Sequence, residues 1–81
     1  MYPDEIKQII EAGIHECTAI IEGDDGKHYS AMVISPAFSG KNRVQKQQLV
    51  YATLNKYITD GSLHAISIKT FTPEEWQTHN G

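Results

Sequence analysis

A long helical repeat, from about Arg43 to Ile58, stands between two strand-like segments, and this arrangement limits the fold more than any other feature of the chain. The segment before it, His28 to Ser35, alternates: Tyr29, Ala31 and Val33 fall on one face, and Ser30, Met32 and Ile34 on the other. The segment after it, Leu63 to Thr70, sets His64, Ile66 and Ile68 on a common face. Two strands of one sheet joined through a helix run parallel, with a right-handed connection. Within the helix Val44, Tyr51, Leu54 and Ile58 form an apolar stripe, widened by Val50 and Tyr57. Lys46, Thr53 and Lys56 lie on the opposite side, with Leu49 among them.

The other elements follow from local signals. Pro3 suits the first turn of a helix, Asp4 and Glu5 favour its positive end, and Ile6, Ile9 and Ile10 give it an apolar face that Gly13 terminates. Thr18 to Glu22 is β-prone, and Gly23-Asp24-Asp25-Gly26 is a turn that leads into the next strand, so the two should pair as an antiparallel hairpin. Pro36 ends that strand, and Phe38 to Asn42 is a loop. Thr72-Pro73-Glu74-Glu75 starts a last helix, with Thr72 as its cap and Glu75 closing a capping box. The expected fold is therefore α+β in the order α-β-β-α-β-α, a three-stranded mixed sheet with helices over one face. Nothing marks a boundary or a repeat, so residues 1–81 read as one domain. An antiparallel pair extended by a parallel strand resembles the class II KH-like folds.

Cys17 is the one cysteine, which excludes an intrachain disulfide and a cysteine-zinc site and fits a reducing, intracellular compartment. The chain begins with acidic residues and carries no apolar run, so neither a targeting peptide nor a membrane span is expected, and the localisation read is cytoplasmic. Net charge is −3 but unevenly spread. From Gly26 to Thr59 there is no acid, while Lys27, Lys41, Arg43, Lys46 and Lys56 contribute +5; the remainder carries −8. Such a basic segment is either a solvated helix face or a surface for an anionic partner.

Parallel strands begin at the same end of a sheet, so His28 and His64 should share one rim with Asp24 and Asp25 of the turn. Imidazole is a ligand suited to iron, copper and zinc, and two histidines are too few for a complete site. The remaining ligands would come from a partner. The alternative is that His64 packs and hydrogen-bonds locally at a strand end and that His28 is a surface residue. Cys17 and His64 fall at opposite ends of the sheet, which argues against a Cys–His nucleophile. His15 and His79 stand without companions. No nucleophile motif, Walker loop or GxGxxG is present, so neither catalysis nor a small-molecule substrate is expected. Tyr51, Tyr57, Phe71 and Trp76 read as packing residues, and no GXXG loop of the KH type precedes the long helix, where Gly40 stands alone.

Three stretches carry a resemblance. They are Phe38-Ser39-Gly40, Arg43-Val44-Gln45-Lys46-Gln47-Gln48-Leu49-Val50-Tyr51, and Leu63-His64-Ala65-Ile66-Ser67-Ile68-Lys69-Thr70-Phe71-Thr72-Pro73-Glu74-Glu75-Trp76. Together they resemble the BolA family, and most closely its bacterial YrbA (IbaG) branch. The resemblance implies a KH-like fold and a heterodimer with a monothiol (CGFS) glutaredoxin. The pair would share a glutathione-ligated [2Fe–2S] cluster in iron–sulfur trafficking and iron homeostasis, and the isolated protein would carry no cofactor. The family's histidine at the start of the third strand maps onto His64. Its second ligand is a His or Cys in the first hairpin loop, and the turn here has neither; His28 is the nearest candidate and Asp25 a substitute. Some members are described as DNA-binding regulators of morphology and stress response. That alternative would use Lys41, Arg43, Lys46 and Lys56, with weak binding to DNA.

Overall fold

A computed structural model describes residues 1–23 and 28–80. The elements are α1 (Pro3–Gly13), β1 (Thr18–Glu22), β2 (His28–Ile34), a 3₁₀ turn (Pro36–Phe38), α2 (Arg43–Thr59), β3 (Ala65–Phe71) and α3 (Pro73–Asn80). The order α-β-β-α-β-α is the one read from the sequence. Pro3 opens α1 and the Tyr2 N–H donates to Glu5 Oε1 at 2.8 Å, so the first turn is capped from within. A second box closes on α2: Asn42 Oδ1 accepts from the Gln45 N–H at 2.9 Å, and Gln45 Oε1 accepts from the Asn42 N–H at 3.0 Å. The expected Thr72–Glu75 box forms as well, at 2.8 and 3.2 Å.

The sheet order is β1-β2-β3. β1 runs antiparallel to β2, from Thr18↔Ile34 to Glu22↔Ser30, and β2 runs parallel to β3, from His28↔Ala65 to Ile34↔Phe71. One face is dry. Ala19, Tyr29, Ala31 and Val33 on the sheet pack with Ile6, Ile10 and Ile14 from the α1 side, Val50 and Leu54 from α2, and Phe38 and Leu63 from the connections. On the other face Glu22, His28, Ser30, Ser67 and Lys69 are exposed. At the far end of β3, α3 is held by a ring cluster: Phe71 meets Trp76 edge-on at 5.2 Å and His79 at 4.9 Å, and His79 stacks on Trp76 at 5.5 Å.

The buried face of α2 is rotated from the expected stripe. Val50 and Leu54 are its fully buried residues, whereas Val44 is 63% exposed and Ile58 38%. Thr53, expected on the outer side, lies against α1: a Cβ built on Gly13 would sit 2.6 Å from Thr53 Cγ2. The reason is that α2 packs on two neighbours at once. The missing side chain of Gly13 lets α1 approach on the Thr53 flank, while Gln47 and Tyr51 reach β3 on the other.

Side chains also occupy the sheet's edges. At the β1 edge, Glu11 Oε2 accepts from the Ala19 N–H at 2.9 Å and from Lys7 Nζ at 2.6 Å, and Lys7 Nζ donates to the Ala19 carbonyl at 2.9 Å. Lys7 first, then the Ala19 amide, hold the Glu11 carboxyl below its ordinary range. Ser35, fully buried where β2 ends, donates to the His15 carbonyl at 2.6 Å and accepts from the Ala37 N–H at 3.0 Å, which starts the 3₁₀ turn.

Candidate metal-ligating rim and basic helix

His64 is placed by what precedes it. α2 ends through Asp60 and a left-handed Gly61 (φ 82°), where a side chain would be strained, and Asp60 Oδ1 accepts from the Ser62 N–H at 2.8 Å. Leu63 then drops into the core, with its N–H donating to the Tyr57 carbonyl at 3.0 Å. His64 follows this anchor and directly precedes β3. It is exposed, yet the backbone on both sides of it is fixed. It lines a cleft with Tyr51, Ile58, Leu63, Ala65 and Ile66, on the helix-covered side of the sheet.

His28 opens β2, so both histidines stand at the same end of two directly hydrogen-bonded strands, about 4.8 Å apart. They do not share a face. His28 pairs in register with Ala65, one position beyond His64, and side chains alternate along a strand. His28 accordingly lines a different cleft, on the open side of the sheet, with Glu22, Gly23 and Ser30. Asp25, the substitute ligand, and the rest of the hairpin turn from Asp24 to Lys27 lie outside the described residues. Among the described residues no three His, Cys, Asp or Glu side chains come together in a way that could hold a metal ion. His64 can offer one nitrogen ligand from a rigid strand end, bordered by apolar and aromatic side chains. As the strands stand, His28 and His64 face opposite sides of the sheet and do not converge on one point. Cys17 is partly buried at the start of β1, away from this rim, and burial pushes its thiol up to about 11.

The basic residues divide into two groups. Lys41 and Arg43 are exposed where α2 begins. Lys46, expected on the outer face, is half-buried and lines a cleft with Arg43, Gln47, Ile68, Lys69, Thr70 and Phe71. Lys56 stands near the other end of α2, its Nζ 5.9 Å from the Tyr57 ring centroid. Ten residues of helix, about 15 Å, separate it from Lys46. Sequence reasoning missed Lys69, which joins Arg43 and Lys46 although it belongs to β3 and stands beyond the acid-free segment.

Comparison with known proteins agrees with this architecture. Residues 5–75 match the family model described as BolA-like protein. The chain is 38% identical over 76 residues to the acid stress protein IbaG of Escherichia coli K12, covering 94% of this chain and 89% of that one. It is 36% identical over 53 residues to the DNA-binding transcriptional regulator BolA of Haemophilus influenzae, covering 65% of this chain and 50% of that one. Among solved structures, a bolA protein homologue from Coxiella burnetii superposes with a TM-score of 0.84 at 38% identity, covering 95% and 97% of the two chains. With the element order, the mixed sheet and the histidine ahead of β3 all in place, the chain belongs to the BolA-like family.

Proposed function

We propose that this chain is a non-enzymatic, cytoplasmic partner of a monothiol glutaredoxin, and that the two together hold a glutathione-ligated [2Fe–2S] cluster as cargo in iron–sulfur trafficking. His64 is this chain's ligand. The observation that carries the reading is an exposed imidazole fixed between the buried Leu63 and the start of β3, with too few neighbouring donors among the described residues for a site of its own. A [2Fe–2S] centre has four terminal positions: the glutaredoxin cysteine and glutathione fill two, His64 a third, and the fourth falls to a second ligand of this chain. The backbone anchoring of Leu63 fixes where the imidazole starts, and Tyr51, Ile58 and Ile66 border it in the same cleft. His28 is the second candidate; because it faces the other side of the sheet, its contribution requires a change at the hairpin end. Family membership supports the partner class.

The test is to mix the protein with a CGFS-type glutaredoxin, glutathione, iron and sulfide, and to record visible circular dichroism alongside size exclusion. Replacing a sulfur by a nitrogen ligand alters the iron's electronic environment. The expected result is a heterodimer whose spectrum differs from that of the glutaredoxin alone. Identical spectra and no heterodimer would refute the reading.

A second reading, DNA binding, draws on Arg43 and Lys46, which line one cleft, on the exposed Lys41 that precedes them, and on the regulator named among the relatives. Three or four phosphate contacts imply a log–log salt slope of about −3, at roughly 0.9 counterions per phosphate. Lys56 stands apart from the others, and the −8 carried outside the basic segment repels the same backbone. Binding is therefore expected to be weak and insensitive to sequence, and the double change R43Q/K46Q should flatten the slope by about two. Tight, sequence-selective binding at physiological salt would make this the primary function.

A further inference from the structure

The two outer edges of the sheet are finished differently. In β3 the Phe71 carbonyl accepts from the Ser35 N–H at 2.9 Å, so Phe71 and, by alternation, Lys69, Ser67 and Ala65 turn their backbone groups toward β2. Ile66, Ile68 and Thr70 turn theirs outward. Two outward carbonyls are taken up by α2: Tyr51 Oη donates to the Ile66 carbonyl at 3.3 Å and Gln47 Nε2 to the Ile68 carbonyl at 2.8 Å. No acceptor is found among the described residues for the outward N–H groups of Ile66, Ile68 and Thr70. The edge is thus left rich in donors.

A cleft runs along it. The consecutive residues Ile68, Lys69, Thr70 and Phe71 all line it, which means that it follows the strand's edge and not one of its faces; Arg43, Lys46 and Gln47 form the opposite wall. Three cations border this edge. Arg43 and Lys46 stand on the helix side of the sheet, and Lys69 on the open side. Glu75 lies within the field of Lys46, since its carboxyl is held below the ordinary value by the Thr72 N–H and also by that charge.

We propose that the β3 edge is a docking site for an extended acidic segment of a partner protein, which adds as a fourth strand. Its carbonyls accept from the outward N–H groups, and its carboxylates meet Lys69 on one side and Arg43 and Lys46 on the other. Successive side chains of a strand point to opposite faces, so adjacent acids in the segment reach both groups of cations at once. A run such as Glu-Glu therefore fits better than acids at every second position. A second copy of this chain is the wrong occupant, because pairing β3 with β3 would bring two sets of the same three cations together. Duplex DNA matches the cations but has no strand backbone to accept from a row of edge amides.

The proposal is tested on the whole chain with a fluorescein-labelled hexapeptide, acetyl-Thr-Glu-Glu-Val-Glu-Thr-amide. Its Gln-for-Glu analogue and a 12-base-pair duplex serve as competitors. Fluorescence anisotropy at low salt should show saturable binding of the acidic peptide. The double variant K46Q/K69Q, which alters no fully buried residue, should bind roughly five- to tenfold more weakly, as expected for two partly exposed charge contacts. Amide hydrogen exchange followed by NMR needs no variant: bound peptide should slow exchange at Ile68 and Thr70. Unchanged exchange at those amides with peptide bound would overturn the proposal. Equal affinity for the Gln analogue would do so too, as would self-association through β3 without peptide. Duplex DNA that binds more tightly than the peptide and displaces it would assign the cleft to nucleic acid instead.

Discussion

Changing Gly13 to Ala tests how α1 and α2 are brought together. The added Cβ would stand 2.6 Å from Thr53 Cγ2 and 3.3 Å from Thr53 Cβ, so the first contact demands movement and the second only a few tenths of an ångström. Thr53 cannot easily turn away. Its side chain is β-branched within a helix, and its hydroxyl donates to the Val50 carbonyl at 2.7 Å, which fixes the rotamer. Overpacking of this kind costs about 1–3 kcal/mol. The gain from replacing helical Gly by Ala, at most about 1 kcal/mol in a helix interior, is smaller at this last position of α1. A net loss of about 1–2 kcal/mol is expected, or roughly 4–15 °C in Tm for a domain of this size. Thr53→Ser removes Cγ2 and keeps the hydroxyl, so in that background Gly13→Ala should cost little, with a coupling energy of about 1 kcal/mol or more. Urea unfolding of the four proteins by far-ultraviolet circular dichroism measures the cycle. Unchanged stability of G13A, or zero coupling with T53S, would show that the helices are not held at this contact.

Three further outcomes follow from other sites. His64→Ala should leave the apo-protein folded, because the side chain is exposed, and should abolish the heterodimer's distinctive visible spectrum, while His28→Ala has an equal or smaller effect; loss of the fold in H64A with cluster retention unchanged would return His64 to a structural role. Glu11 has a lowered pKa, so its contribution is present above the unfolded value of about 4.5 and is lost as pH falls through the folded one; Glu11→Gln should therefore lower stability at neutral pH and flatten the acid limb of a Tm-against-pH curve, and an unchanged limb would refute the clamp. Cys17, with its thiol pushed up to about 11, should react with iodoacetamide at pH 8 about a hundredfold more slowly in the folded protein than in urea, and equal rates would contradict its burial.

The element boundaries were legible because punctuation residues stand at them: Pro3 and Gly13 bound α1, and Thr72 and Glu75 close the last capping box. Asn42 and Gln45 form the same kind of box, yet Asn42 reads only as the end of a loop and Gln45 only as a helix residue unless the Asn-x-x-Gln spacing is noticed. What could not be read was anything set by the third dimension. Local pattern does not determine strand order, so only the structure shows that β3 lies beside β2 and not β1. The face of α2 was misjudged at Val44, Ile58 and Thr53, because helical periodicity does not reveal that a helix is wedged between another helix and a strand. The shared end of His28 and His64 follows from parallel strands, whereas their separation onto two faces depends on a register of one residue, His28 opposite Ala65.

The clamp of Lys7 and Glu11 on Ala19 limits how this protein can assemble. A hairpin presented at the border of a small sheet is a template for open-ended growth, each copy adding to the last. Growth of that kind needs two receptive borders on every unit. Here the β1 border already has its Ala19 donor and acceptor engaged by α1. A strand arriving at β3 would thus meet a sheet whose opposite border is occupied at Ala19. The two borders are not equivalent: seating one copy's β3 on the next copy's β1 would first have to displace the Lys7–Glu11 clamp, and protonation of Glu11 would loosen that obstacle.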